Sequence, residues 1–165
     1  INNTPSKSRR LILRNNGIQT RYYALDKEQN VTHNNAELTA EAVKKLVAGD
    51  FSLQNIEVLS CGTSTPDLLL PSHAAMVHGL LKNKSVDLNS ASGVCCSGMN
   101  ALKYGFLNIK AGTAKNAVCT GSERVSTWMM ANKFEAEIAN LEALEEQPIL
   151  AFKNLFKSGA YSQFK

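Results

Sequence analysis

Residues 87–102 read Asp-Leu-Asn-Ser-Ala-Ser-Gly-Val-Cys-Cys-Ser-Gly-Met-Asn-Ala-Leu, and this stretch decides the fold. The pattern predicts a short buried strand, then a turn of small residues, then a helix. Two cysteines, Cys95 and Cys96, stand at the bend. Apolar residues recur along the helix at helical spacing, so we expect one stripe of it to face a core. The stripe consists of Met99, Leu102, Phe106 and Ile109.

A cysteine at such a bend is a candidate nucleophile. Unpaired backbone N–H groups and the helix dipole at the first turn of a helix favour a thiolate over a thiol. The small residues that follow the cysteines, Ser97 and Gly98, leave room for a substrate carbonyl to approach. The alternative is structural, because free cysteines are among the most buried residue types and a pair near the start of a helix often serves packing alone.

The composition is that of an ordinary globular protein. The chain has 165 residues, of which 44% are hydrophobic and 19% are charged, and its net charge is +4. No apolar run approaches the roughly 18 residues that span a bilayer, so we expect no membrane contact. The only basic cluster lies within residues 7–14. A solvated arm accounts for this cluster better than a nucleic-acid site, so we expect no nucleic acid partner.

The cysteine and histidine spacing argues against a metal site. The cysteines are Cys61, Cys95, Cys96 and Cys119. This spacing fits no zinc pattern, and an adjacent pair does not suggest a secreted disulfide framework. His73 and His78 lie on one predicted helix but point about 140° apart, so they cannot share a metal. We therefore expect no metal and a reducing, cytoplasmic location.

Predicted strands and helices alternate along the chain. The helices are predicted at 36–47, 71–81, 97–111, 125–131 and 136–146, the strands at 56–60, 85–88 and 117–120, and a bent extended segment at 11–23. In the first helix the expected buried stripe consists of Leu38, Ala42, Val43 and Leu46. Alternation with short loops predicts an α/β fold around a mostly parallel sheet.

Other polar residues near the predicted strand ends are further candidates for the site. The loop at 61–67 is rich in small and hydroxyl residues, as active-site loops after parallel strands often are. His73 stands near a helix start, where it either approaches Cys96 or simply faces solvent or caps the helix. Glu123 and Arg124 either orient a substrate or form a structural ion pair.

Several motifs follow one another in a recognisable order. They are Thr63-Ser64-Thr65-Pro66-Asp67 with Pro71-Ser72, then Asp87-Leu88, then Cys96-Ser97-Gly98-Met99, then Gly121-Ser122-Glu123. Together they resemble the amino-terminal half of the beta-ketoacyl-ACP synthase III family, within the thiolase-fold condensing enzymes. The resemblance covers roughly residues 11–125. It implies that residues 1–165 form one half of a thiolase-like fold with a mostly parallel mixed sheet.

The resemblance also implies a reaction. A cysteine attacks an acyl thioester carried by coenzyme A or acyl carrier protein and becomes an acyl-enzyme. A malonyl unit on acyl carrier protein then loses carbon dioxide, and its carbanion attacks the acyl group, in fatty-acid or specialised polyketide-type biosynthesis. The match of the Cys-Ser-Gly-Met run makes Cys96 the nucleophile and its backbone N–H one half of an oxyanion hole. Cys95 is then a packing residue, and no cofactor is implied.

Further roles follow from the same resemblance. Thr63, Ser97 and Gly98 are implied in substrate binding, and Leu70 matches the position that reaches across a dimer to cap the partner's acyl pocket. The strand around Val118 matches the one that pairs across the dimer axis. A homodimer that works with acyl carrier protein and an acyl thioester is therefore implied.

Some features depart from the family pattern. The family's catalytic histidine and asparagine are expected in a second half beyond these 165 residues. Asn15 stands where the family has an arginine, and the family's aromatic that stacks on the coenzyme adenine is not identifiable in the chain. These departures weaken the case for coenzyme A as the donor and leave carrier-protein donors open, and Asn15 favours a specialised pathway. Trp128, Met129 and Met130 either line an acyl tunnel or pack in a core. The alternative function is a non-catalytic or truncated ketosynthase-like subunit that acts as dimer partner or scaffold.

Overall fold

The computed structural model describes residues 14–17, 19, 20 and 22–126. The chain divides into two units, Thr20–Ser126 and a second one made of Ile1–Gln19 and Thr127–Lys165. In the second unit residues 14–16 are helical, so the expected extended backbone is wrong there. The predicted helix at 136–146 and the three bulky residues at 128–130 lie outside the described residues.

A parallel sheet forms the centre of the unit Thr20–Ser126. Its strands are β1 (Val58–Gly62), β2 (Asp87–Ala91) and β3 (Ala117–Gly121), in the spatial order β2-β1-β3. Val58 pairs in register with Asp87 on one side and with Ala117 on the other. All five residues of β1 are buried, as expected of a central parallel strand covered on both faces. The predicted α/β fold is confirmed.

Helices cover both faces of this sheet. They are α1 (Asn35–Lys44), α2 (His73–Leu81) and α3 (Ser97–Lys110), with short 3₁₀ turns at Leu53–Asn55 and Val94–Cys96. The chain moves from β1 to β2 through α2 and then back past β1 to β3 through α3. Because parallel crossovers are right-handed, connections that run in opposite directions place their helices on opposite faces. Accordingly, α1 packs with α2, while α3 contacts all three strands.

The core lies between the sheet and the layer of α1 and α2. It consists of Ala36, Ala40, Val43, Ile56, Leu59, Cys61, Ala74, Val77, Leu81 and Val118. The stripe predicted for α1 is only partly correct, because Val43 is buried but Ala42 and Leu46 are exposed. The helix is rotated so that polar Asn35 and Thr39 are buried instead, and their hydrogen bonds to the rest of the unit compensate for the lost water.

The long helix α3 packs on the sheet through small residues. Its buried residues are Ser97, Ala101 and Gly105, four apart along one face. A Cβ atom on Gly105 would overlap the Cys119 sulfur and stand 3.0 Å from the Ala117 Cβ, so only glycine permits this close approach. The prediction that the apolar stripe faces a core is therefore wrong for this unit. The exposed stripe residues are Met99 (65%), Leu102 (53%), Phe106 (59%) and Ile109 (46%).

Element boundaries differ by a few residues from the predictions. The strand predicted at 85–88 is β2, which extends to Ala91. The helix predicted from Pro71 begins two residues later, where Ser72 caps it by accepting a hydrogen bond from Ala75 N–H at 3.3 Å. At the end of α3, Gly112 adopts a left-handed φ of 74°, as predicted for a helix stop. The helix predicted at 125–131 is not present at 125 and 126, and its remainder lies outside the described residues.

Candidate functional site

The two cysteines lie at a sharp bend between β2 and α3. A 3₁₀ turn, Val94–Cys96, connects the strand to the helix, and Cys96 is the N-cap residue of α3. Both Cys95 and Cys96 are exposed free thiols. The Cys96 side chain makes no capping hydrogen bond to the first turn of α3, whose N–H groups have no partner within the helix. This arrangement places an accessible thiol at the positive end of a helix.

Val94 holds the bend in a strained conformation. Its φ is 48°, in the left-handed region, where a β-branched side chain is unfavourable. Such a conformation costs about 1–3 kcal/mol and persists only where neighbouring groups enforce it. The backbone before Cys96 is therefore under constraint, and the groups that bind the Val94 carbonyl are the ones that can supply it.

Two serine hydroxyls bind that carbonyl. The Ser64 Oγ lies 2.9 Å from the Val94 oxygen and the Ser97 Oγ lies 3.0 Å from it. The two hydroxyl oxygens are 2.8 Å apart. Ser97 also accepts a hydrogen bond from the Gly93 N–H at 3.1 Å. We call Ser64 and Ser97 the serine pair. It connects the loop after β1 to the bend that carries the cysteines.

The backbone N–H of Cys96 is already engaged. It donates to the carbonyl of Gly93 at 2.8 Å, within the 3₁₀ turn. The resemblance implied that this N–H is half of an oxyanion hole, and in this structure it points to a protein carbonyl instead. The tight turn is the physical cause, because an i to i+3 hydrogen bond closes it. An oxyanion here would have to compete with Gly93 for this donor.

Glu123 binds the loop after β1 from the end of β3. Its carboxylate accepts hydrogen bonds from the Ser64 N–H at 2.7 Å and from the Thr65 hydroxyl at 2.6 Å, with the Thr63 hydroxyl at 3.4 Å. Partial burial by itself would raise the pKa of Glu123, but these hydrogen bonds to the charged form outweigh it and lower the pKa below its ordinary value. The carboxylate is thus kept ionised by the loop that it holds.

Thr63, predicted as a substrate-binding residue, is buried within this loop. Its hydroxyl accepts hydrogen bonds from the side-chain amide of Asn35 at 2.8 Å and from the Thr65 N–H at 3.1 Å, and lies within reach of Glu123. A hydroxyl has one proton and two acceptor positions. All of them are used inside the protein, so Thr63 supports the loop rather than presenting its hydroxyl to a ligand.

The comparisons with known proteins bear on this site. No protein-family model matches the chain. The beta-ketoacyl-ACP synthase III of Clostridium perfringens is 35% identical over 111 residues, which are 67% of this chain and 32% of the relative. The corresponding enzyme of Aquifex aeolicus is 31% identical over 110 residues, which are 67% of this chain and 34% of the relative. This is a partial beta-ketoacyl-ACP synthase III-like chain.

Solved structures agree on the fold. Beta-ketoacyl-ACP synthase III from Thermus thermophilus superposes with a TM-score of 0.55 at 24% identity, over 67% of this chain and 33% of that one. The tetronic acid condensing enzyme AbyA1 superposes with a TM-score of 0.68 at 24% identity, over 82% of this chain and 43% of that one. The fold is therefore thiolase-like. The chain spans about a third of the length of the curated relatives it matches.

Leu70 of this synthase III-like chain lies on an exposed loop. Leu68, Leu69 and Leu70 are 55%, 89% and 86% exposed, and the Leu70–Pro71 peptide bond is cis. Three consecutive exposed leucines are unusual on the surface of a monomer, and apolar patches of this kind mark contact surfaces. The loop follows residues 64 and 65, which are hydrogen-bonded to Glu123, so the chain that leads to Leu70 is fixed at its start.

His73 is buried, which contradicts the expectation that it faces solvent or caps a helix. Only 2% of it is accessible, and its Nε2 lies 3.2 Å from the Thr39 hydroxyl and 3.3 Å from the Ser122 hydroxyl. Burial lowers the pKa of His73, although the charges of Asp67 and Glu123 act in the opposite direction. The ring is therefore a neutral part of the packing between α1, α2 and the end of β3.

Of the two residues predicted to form a structural ion pair after β3, Glu123 and Arg124, only Arg124 forms one with a residue that the structure describes. Arg124 lies 3.5 Å from a carboxylate oxygen of Asp67. Asp67 also accepts hydrogen bonds from the N–H groups of Asn35 and Ala36, at 2.9 and 2.8 Å, at the start of α1. A carboxylate at a helix N-terminus is stabilising. Arg124 thus belongs to the support of the loop, whereas Glu123 binds hydroxyl and N–H groups.

The other two cysteines are unsuited to nucleophilic chemistry. Burial raises the pKa of Cys61 to about 11, and it also raises the pKa of Cys119. A thiol with a raised pKa is inert at neutral pH. Within the part of the chain that the structure describes, no group of three or more His, Cys, Asp or Glu residues is arranged to hold a metal ion. No helix among those residues is long and apolar enough to cross a membrane.

The roles of two residues of the site are not predicted by the sequence. Ser64 belongs to the motif at residues 63–67 without an assigned role, and for Glu123 the sequence offers only substrate orientation or an ion pair. Hydroxyl-rich composition after β1 and an acid after β3 were the available signals. Because the strands are parallel, both segments emerge at the same edge of the sheet. That placement alone would have favoured a contact between them.

Proposed function

We propose that this chain supplies the nucleophile of a ketosynthase III-like acyltransferase. The observation that carries the proposal is the placement of Cys96, an exposed thiol that is the N-cap residue of α3 at the end of a strand-to-helix bend. The relatives that match two thirds of the chain are named beta-ketoacyl-ACP synthase III, which supports the same reaction class.

The proposed reaction has two stages. The Cys96 thiolate adds to the carbonyl of an acyl thioester, and collapse of the tetrahedral adduct expels the carrier thiolate and leaves an acyl-cysteine. A malonyl unit on acyl carrier protein then loses carbon dioxide, and the resulting carbanion attacks the acyl carbonyl. A carbon–carbon bond forms, and the Cys96 thiolate leaves. The second stage requires groups that bind the malonyl thioester, which this chain is proposed to receive from the remainder of the fold.

The first turn of α3 is the proposed site of negative charge on the adduct. Gly98, the second residue of this turn, carries no side chain and is partly exposed. Backbone N–H groups aimed at a developing oxyanion are worth several kcal/mol in such reactions. The backbone of Ser97 and Gly98 is therefore assigned to substrate binding, while the Ser97 hydroxyl stays with the serine pair.

The proposed partners follow from the same reading. Acyl carrier protein delivers the malonyl unit, and either coenzyme A or acyl carrier protein delivers the acyl group. A second copy of the chain receives Leu70, whose exposure on a leucine-rich loop supports contact across a homodimer. The pairing of β3 across the dimer axis and the cytoplasmic location remain predictions.

Intact-mass spectrometry tests the first stage. The protein is mixed with an acyl-coenzyme A and, separately, with acyl carrier protein carrying the same chain. We expect a mass gain equal to the acyl group in the unaltered protein and in Cys95→Ala, the matched control one residue away. We expect no gain in Cys96→Ala. A gain that persists in Cys96→Ala would refute the assignment of the nucleophile.

A second candidate is a non-catalytic subunit that serves as dimer partner or scaffold. One observation favours it: the Cys96 N–H donates to Gly93 rather than toward the space where an oxyanion would form. In that case neither thioester would acylate the protein, although a small alkylating reagent would still label Cys96. Labelling without acylation would therefore decide for this candidate.

A further inference from the structure

We propose that Ser64 is a positioning residue, whose hydroxyl holds the strained bend before Cys96 and thereby sets the reactivity of that thiol. The inference rests on the proposed function for its meaning in catalysis. Its geometric content, that Ser64 controls the bend, is independent of that function. No role was assigned to Ser64 by the sequence, and it lies on a different loop from the nucleophile.

The hydrogen-bond geometry shows why the bend depends on Ser64. The Val94 carbonyl has both hydroxyls of the serine pair within 3.0 Å. Each hydroxyl has one proton, so two of the three contacts among the Ser64 hydroxyl, the Ser97 hydroxyl and the Val94 carbonyl are hydrogen bonds at any moment, and Ser64 takes part in at least one of them. Ser97 also accepts from Gly93. The serine pair therefore binds the backbone before Val94, at the Gly93 N–H, and after it, at the Val94 carbonyl.

The strained conformation of Val94 requires these hydrogen bonds to hold it. A valine at a φ of 48° returns to the extended or helical region unless neighbouring groups prevent it. Cys96 lies only two residues further along the chain. A change of φ at Val94 therefore moves the thiol relative to the first turn of α3, which is the positive end of that helix.

The Ser64 backbone is held from the opposite side. Its N–H donates to Glu123 at 2.7 Å, and the same carboxylate binds the Thr65 hydroxyl at 2.6 Å. The position of the Ser64 hydroxyl is thus set by a residue that follows β3. The path runs from the end of β3 through the loop after β1 to the bend after β2, and every step is a hydrogen bond within 3.0 Å.

The test measures the alkylation rate of the Cys96 thiol. Iodoacetamide labels the protein in the presence of free glutathione, and peptide mass spectrometry gives the Cys96 rate; glutathione is the reference because Cys95 lies on the same bend. In Ser64→Ala we expect the ratio of the Cys96 rate to the glutathione rate to fall about tenfold, the value of one lost hydrogen bond. Ser64→Thr retains the hydroxyl and should restore most of the ratio. Ser52→Ala, which removes an exposed hydroxyl bonded to Asn55, is the matched control and should leave the ratio within about twofold.

The outcomes separate this proposal from the proposed function. An unchanged ratio in Ser64→Ala would overturn the positioning role, even if acylation of Cys96 is observed. A tenfold change together with no acylation by either thioester would uphold the positioning role and refute the proposed function. If Ser64→Ala does not fold, as judged by denaturant unfolding, Glu123→Gln weakens the same path from its far end. We then expect about a threefold fall in the ratio, and no fall would overturn the proposal.

Discussion

Replacing Gly62 by alanine is expected to displace α3, the helix whose N-cap residue is Cys96, the proposed nucleophile. Gly62 is the last residue of β1, and a Cβ atom there would lie 2.5 Å from the Ser97 carbonyl carbon and 2.8 Å from the Gly98 nitrogen, with the Ser97 oxygen closer still. These are backbone atoms of the first turn of α3. Because carbon atoms in contact prefer about 3.5–4.0 Å, the helix start must retreat by about 1 Å.

The magnitude follows from this displacement. Overpacking of a rigid site costs about 1–3 kcal/mol of unfolding free energy. With a urea dependence of about 1–3 kcal/mol per molar, the midpoint of unfolding should fall by about 1 M. A misplacement of about 1 Å at a reacting group should also slow acylation of Cys96 by about 100-fold. The assay is urea unfolding followed by fluorescence or circular dichroism, with acylation measured by mass on the folded variant.

A matched glycine distinguishes the clash from a general effect of alanine. Gly79 lies in α2, and a Cβ atom there meets nothing within 4 Å. Gly79→Ala should leave the midpoint unchanged or raise it, since alanine favours a helix over glycine by up to about 1 kcal/mol. If Gly62→Ala unfolds at the same urea concentration as the unaltered protein, the close approach of β1 and α3 is not what fixes the helix start.

Three further changes have outcomes that the structure sets. The pKa of Glu123 is lowered in the folded protein, so the ionised carboxylate stabilises the fold fully above the ordinary pKa of 4.5. This stabilisation is lost as the pH falls through the lowered pKa. The urea midpoint of unfolding of Glu123→Gln should therefore depend less on pH in that range than the midpoint of the unaltered protein. The pKa of His73 is also lowered, so below pH 6.5 the unfolded chain takes up a proton on this ring that the folded protein does not. The free energy of unfolding should therefore decline as the pH falls below 6.5. His73→Gln should make this pH dependence weaker in the same urea unfolding measurement. Asn34 and Glu37 exchange two hydrogen bonds of 2.8 Å at the start of α1, so Asn34→Ala should lower the unfolding free energy by about 1 kcal/mol, whereas Asn34→Ser should retain most of it.

The order of elements could be predicted from the sequence because it depends on local patterns. Small residues and a Gly112 stop delimit α3, and β1 is a short apolar run, so their positions came out within about two residues. The face of α3 that packs could not be predicted in this way. Hydrophobic periodicity finds the most apolar stripe, but the sheet is approached by Gly105 and its small neighbours, since close approach of backbones selects against large side chains.

The position of the Cys96 thiol at a helix start could be predicted from the sequence, but the residues that support it could not. A Cys-Ser-Gly run after a strand predicts a thiol at a helix start, and Cys96 is there. The support comes from Ser64 and Glu123, which are about 30 residues upstream and downstream of it in sequence and are joined only by folding. Long-range hydrogen bonds of this kind leave no periodic signal. His73 was misjudged for a related reason, because its burial depends on two hydroxyls from other elements.

The geometry of the sheet connects the proposed nucleophile, Cys96, to residues that do not touch it. Three parallel strands end at one edge, so the loops that follow them lie side by side. Cys96 follows β2, Ser64 follows β1 and Glu123 follows β3, and hydrogen bonds connect the three loops in that spatial order around the central strand. A strained bend persists only where neighbouring groups hold it, and here those groups are loops at adjacent strand ends that are joined by hydrogen bonds. We therefore expect substitutions after β3 to alter the reactivity of Cys96 more than substitutions of equal size on the exposed face of α3, although that face belongs to the helix that Cys96 caps.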